Sequence, residues 1–136
     1  MSTESNKTAV RAYFDAIARG ERAALLALFC PEIRWSVPKG AIAPFGGMHC
    51  GAEKIADLML GAVDAAFVPG TQRVEIRLML AEDDVVIAET RMTAQRRGGA
   101  PDYDNAYVFV FEFSGDRIAE IREHVDTRYA AEAFGA

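Results

Sequence analysis

The sequence predicts an α+β fold: helices cover one face of a curved, mixed or antiparallel sheet that wraps around them as a cone. Two observations predict it. Helical periodicity is confined to the first half of the chain, and the second half is a run of alternating segments joined by short polar turns. The chain has 136 residues, which is the size of one domain, and residues 1–136 are read as a single one.

Val10, Tyr13, Phe14 and Ile17 recur at spacings of three and four, so Thr8 to Arg19 is read as a helix with Gly20 as its stop. Glu21 to Phe29 follows as a short second helix, with Pro31 beyond its end, and Ile33 to Val37 as a short strand. Pro38 to Gly51 is rich in glycine and proline, has no period, and is expected to be a long loop at the mouth of a pocket. Ala52 to Phe67 is a third helix presenting Ile55, Leu58, Met59 and Ala62. Strands are then expected from Val74 to Leu80, Val85 to Gln95, Asn105 to Phe113 and Arg117 to Val125. Asp83-Asp84 and Ser114-Gly115-Asp116 are the turn signals, and Ala130 to Phe134 is a short terminal helix.

Composition excludes several classes. Apolar residues make up 51% and charged residues 26%, a globular balance that needs no metal or disulfide to hold a core. Net charge is −5, which disfavours nucleic acid and anionic membrane as partners. Residues 1–8 are polar and lack the apolar stretch of a secretory leader, and the two cysteines, Cys30 and Cys50, read as reduced thiols of a cytoplasmic protein. There is no CxxC, no Cys/His cluster, no phosphate loop and no dinucleotide fingerprint, so neither metal nor cofactor is expected.

The segments VRAYFDAIARGE and NAYVFVFEFSGDRIAEIREHVDT, in this order, resemble the nuclear transport factor 2-like superfamily. More narrowly the chain resembles its SnoaL-like polyketide cyclase and ketosteroid isomerase-related group, from about Thr8 to Thr127. That fold hosts isomerases, cyclases, hydrolases, dehydratases and binding modules, so the resemblance implies fold more than reaction. It implies that Tyr13 occupies the place of the isomerases' oxyanion-donating tyrosine, while Val37 and Phe109 stand where those enzymes carry aspartates. The isomerases' oxyanion hole, with its protonated aspartate, is a well-described case in those relatives. Similarity to limonene epoxide hydrolases implies that Arg91 and Glu123 match the arginine and one acid of their set, with Thr93 in place of the other acid. Trp35 and Val37 then replace the residues that hold water, and the SnoaL-like cyclases imply an acid/base role for Asp126. The resembled group also implies a homodimer through the outer sheet face, assigned here to Val86, Ala88, Met92, Val108 and Val110.

Strand parity is expected to turn Asn105, Tyr107 and Phe109 inward, together with Ala119, Ile121, Glu123 and Val125. On the preceding strand the expected inward set is Val85, Ile87, Glu89, Arg91, Thr93 and Gln95. The candidate catalytic set is Glu123 as base, Arg91 to orient it or bind an anionic substrate, and Tyr13, Asn105 or Tyr107 as donor, to which the resemblance adds Asp126. Trp35, Asn105, Tyr107, Phe109 and His49 are the candidate substrate-binding residues. The expected function is cofactor-independent isomerisation, cyclisation or hydrolysis of an apolar, oxygenated molecule. The alternative is a non-catalytic binding module with a degenerate site. The same residues also have structural readings: Arg91 with Glu123 as a buried ion pair, Tyr13 as core, Asp126 as a helix N-cap, and Trp35 as a core anchor.

Overall fold

The computed structural model describes residues 2–135. Helix α1 runs Thr3–Arg19, α2 Arg22–Leu28, α3 Ala52–Ala66 and α4 Thr127–Phe134. The strands are β1 Phe29–Val37, β2 Gly47–Cys50, β3 Arg73–Glu82, β4 Val85–Ala94, β5 Tyr103–Ser114 and β6 Arg117–Val125. They form one six-stranded sheet in the order β2-β1-β6-β5-β4-β3. The β1–β6 pair is parallel and the other pairs are antiparallel, so the sheet is mixed, as expected.

Helix α1 starts earlier than periodicity suggests because Ser2 caps it: its hydroxyl accepts from the Ser5 amide, and the Ser5 hydroxyl closes the reciprocal box. Gly20 ends it at φ 68°, the left-handed conformation that glycine adopts without a steric penalty. β1 starts four residues before the expected Ile33, with Pro31 inside it. Its register with β6 is broken between Phe29 and Arg34, and that irregular stretch is where a strand tolerates a proline. Part of the expected loop is also a strand: β2 pairs with β1, placing His49 opposite Trp35.

Two further register breaks bend the sheet, between Ile76 and Leu78 on β3 and between Glu112 and Phe113 on β5. The curved inner face packs on α1 and α3. Phe14 meets Phe109 edge-on at 5.2 Å between ring centroids, and Tyr13 meets Phe111 at 5.3 Å. Below them, Val10, Leu25, Phe29, Ile33, Ile55 and Phe111 fill the narrow end of the cone.

β4 has the opposite facing from the one expected. Val86, Ala88, Thr90 and Met92 point inward, and Val85, Ile87, Glu89 and Arg91 point away from the core. Both charges of VVIAETRMTA share one parity, and desolvating them would cost more than burying Thr90. The outer face consequently loses Val86, Ala88 and Met92 and gains Leu78, Leu80 and Ile87. Leu80 lies opposite Ile87, which lies opposite Val110, so these residues make one patch across β3, β4 and β5. Val108 extends that patch along β5.

Candidate functional site

At the wide end the inner face does not close. A cavity of about 130 Å³ remains between the sheet, α1, α3, the 38–46 segment and α4. Its walls are mostly apolar: Phe14 and Ile17 from α1, Met59 from α3, Val37 from β1, Phe109 from β5 and Phe134 from α4. The roof is held by aromatic contact, with Phe134 edge-on to Phe45 at 6.1 Å and to Phe67 at 5.4 Å.

Glu123 is the one carboxyl among the lining residues. Trp35 pairs with Ile121 across the parallel β1–β6 ladder, and Glu123 lies two residues further on β6, on the same face. The Trp35 indole Nε1 donates to Glu123 Oε1 at 3.3 Å. Burial among apolar groups pushes the Glu123 carboxyl up to about 7, and the indole hydrogen bond only partly opposes this. Tyr13 and Tyr107 complete the polar surface near it. Burial first, and the neighbouring Glu123 charge second, raise the Tyr13 hydroxyl above its ordinary range, so it remains a protonated donor. Its present contact is a weak one to Met59 Sδ at 3.6 Å, which a better acceptor displaces readily. Tyr107 is also raised, by burial and then by Tyr103 and Glu123, and its hydroxyl bonds the Tyr103 hydroxyl at 2.7 Å.

Of the candidate residues, Glu123, Tyr13, Trp35, Tyr107 and Phe109 line one cavity. The other candidates do not. Arg91 lies on the outer face and binds Asp104 through two parallel hydrogen bonds, Nε to Oδ1 at 2.7 Å and Nη2 to Oδ2 at 2.6 Å. That pair holds the Asp104 carboxyl below its usual range and leaves Glu123 without a cation. Asp126 is the N-cap of α4 and accepts from the Tyr129 amide at 3.0 Å, so its role is structural. Asn105 faces inward but stays behind the wall, where its Nδ2 donates to the Tyr103 hydroxyl at 2.9 Å. His49 is buried behind Trp35, with ring centroids 5.1 Å apart, and its Nε2 donates to the Phe45 carbonyl at 2.7 Å. It braces the indole and the 38–46 segment and does not line the cavity.

Two polar lining residues escape the sequence reading, Thr90 because that reading has the opposite β4 facing and Gln72 because it lies outside the strand patterns. Thr90 and Gln72 are both polar and both buried against the cavity. For Thr90 the available signal is the alternate parity of β4, which contains Thr90 and no charge. Among the described residues, no group of three or more His, Cys, Asp and Glu is placed to hold a metal ion. None of the described helices is long and apolar enough to cross a membrane.

Comparison with known proteins agrees with this architecture. The SnoaL-like domain family matches residues 10–121. An uncharacterised protein of Mycobacterium tuberculosis H37Rv is 33% identical over 138 residues, covering 100% of both chains. Bal32a, from a soil-derived mobile gene cassette, is 30% identical with a TM-score of 0.81, covering 97% of this chain and 98% of its own. An NTF2-like protein of Burkholderia pseudomallei K96243 superposes with a TM-score of 0.82 at 21% identity, covering 100% of each chain. The order of helices and strands, the cone and the extent of these matches lead to one conclusion: the chain belongs to the SnoaL-like domain family and has an NTF2-like fold.

Proposed function

We propose that the protein is a cofactor-independent acid/base enzyme acting on an apolar, oxygenated molecule, with Glu123 moving the proton. The observation that carries this reading is a carboxyl buried in an open apolar cavity and poised at about 7. Near neutral pH such a group is present in both forms, so it can take a proton and return it.

The step that suits this geometry is enolisation. The Glu123 carboxylate removes a proton from the carbon beside a carbonyl. The C–H electron pair becomes a C=C bond, and the carbonyl π pair moves to oxygen. The Tyr13 hydroxyl donates to that oxygen as charge develops on it, in a site from which water is largely displaced. Return of the proton from the neutral Glu123 to another carbon gives isomerisation. Attack of the enolate carbon on a second carbonyl gives ring closure, and the proton then goes to the new alkoxide. Trp35 keeps the carboxyl oriented through the indole hydrogen bond.

Exchange of α-protons for deuterium tests this directly, using a panel of small bicyclic ketones such as 2-tetralone in D2O. The wild type is expected to accelerate exchange, and Glu123→Gln to lose it by about 100-fold or more. Equal exchange by both proteins overturns the assignment. Val37 and Phe109, apolar on the cavity wall, favour a second reading as a binding module without turnover. Ligand binding without any exchange identifies that case. A homodimer through the outer sheet face and a cytoplasmic location belong to the same proposal.

A further inference from the structure

Thr90 and Gln72 present an anomaly inside the cavity. Thr90 is 1% exposed and Gln72 4%, yet Thr90 Oγ1 and Gln72 Oε1 have no hydrogen-bond partner. A buried polar atom left unpaired costs free energy, and such atoms are few in folded proteins. Both residues line the same cavity. Met92 links their positions. Thr90 and Met92 are next neighbours on the inner face of β4, about 7 Å apart along the strand. The Gln72 Nε2 donates to Met92 Sδ at 2.9 Å, which fixes the amide beside that sulfur and leaves its oxygen without a partner.

We infer that Thr90 and Gln72 form a subsite for a neutral hydroxyl group, an alcohol or a phenol, carried on an apolar ligand. The inference rests on the acid/base reading and names the substrate class for it: a hydroxylated apolar ketone. The chemistry selects among polar groups. The amide oxygen of Gln72 only accepts, and the Thr90 hydroxyl donates and accepts. A ligand hydroxyl donates to Gln72 Oε1 while accepting from Thr90 Oγ1, so one group pairs both atoms. A ligand carbonyl or ether satisfies Thr90 alone. A carboxylate sets negative charge against the Gln72 oxygen. A site built to bond a hydroxyl discriminates strongly against the analogue that lacks it, because its own buried groups then stay unpaired.

Calorimetric titration with three probes tests the subsite: 2-naphthol, its methyl ether 2-methoxynaphthalene, and naphthalene. The wild type is expected to bind 2-naphthol at least 10-fold more tightly than the ether. Thr90→Val and Gln72→Met are each expected to bring that ratio to within about threefold of unity, with naphthalene affinity unchanged. Glu123→Gln is expected to keep the wild-type ratio. Equal affinity for the probes in the wild type, binding of none of them, or a ratio that survives both subsite substitutions overturns the inference. So does a ratio that collapses only in Glu123→Gln, because Glu123 is then the group that reads the hydroxyl. The two readings fail separately: hydroxyl preference without deuterium exchange removes the acid/base function and leaves the subsite, and exchange without preference does the reverse.

Discussion

The indole of Trp35 donates to Glu123 Oε1 at 3.3 Å, from the neighbouring parallel strand and within an apolar cavity. It is the one opposing influence on a carboxyl that burial pushes toward neutrality. How this carboxyl titrates governs stability as well as chemistry.

Glu123 is expected to titrate at about 7 by carboxyl-carbon NMR. Its unfolded value is the ordinary 4.5, so the folded state holds the proton more tightly than the unfolded state does. The contribution to stability is complete below about 4.5 and is lost as pH rises through about 7. Relative to Glu123→Gln, the wild type should lose about 3 kcal/mol of unfolding free energy between pH 4 and 8. Urea denaturation of both proteins across that range checks the sign: a wild type that gains on the variant with rising pH contradicts it.

Trp35→Phe keeps an aromatic wall and removes the N–H. The indole bond lowers the Glu123 value, so its loss should push the carboxyl further up. The alkaline shift is readable in the same NMR titration, and in the pH profile of exchange if turnover is found.

Arg91→Ala should leave the Glu123 titration and the urea midpoint where they are. The Arg91–Asp104 pair is solvent-exposed on both sides, at 42% and 48%, and exposed pairs contribute little. Movement of the Glu123 titration in this variant would show that the outer face communicates with the cavity.

Asp126→Ala removes the side-chain cap of α4. About 1 kcal/mol of stability should go with it, seen as a lower denaturation midpoint, and Asp126→Asn should recover most of that. If Asn fails to recover it, the carboxylate has a role beyond capping.

Leu78, Leu80, Ile87 and Val108 are between 37% and 58% exposed on one sheet face. Such a patch, flanked by the Arg34–Glu120–Arg122–Glu112 ion network, suits a second copy of the chain. Light scattering at micromolar concentration is expected to give a dimer for the wild type and a monomer for Ile87→Glu. A monomeric wild type removes the proposal.

The parts of the fold legible in the sequence are those where one parity or one helical stripe carries a uniform signal. Tyr107, Phe109, Phe111 and Phe113 alternate with polar or smaller residues, and β5 faces as expected. Glu123 follows from its place two residues beyond Ile121. β4 is ambiguous because Val85 and Ile87 compete with Val86 and Ala88 for the core. Glu89 and Arg91 decide the matter, and resemblance to an arginine-bearing active site pulls against that physical cue. β2 is hidden because glycines flank four residues whose pairing depends on a distant partner, β1. Gln72 is hidden for a different reason: its position on the wall comes from the start of β3 and the sulfur of Met92, neither of which has a local pattern.

Trp35 is the single tryptophan of the chain. Its ring forms part of the hollow and touches the titrating acid. The molecule therefore carries its own optical reporter: emission colour and intensity should follow both occupancy and the ionisation of Glu123, with no label attached. A library of unlabelled compounds can be screened against the native protein by fluorescence alone, before any reaction is known.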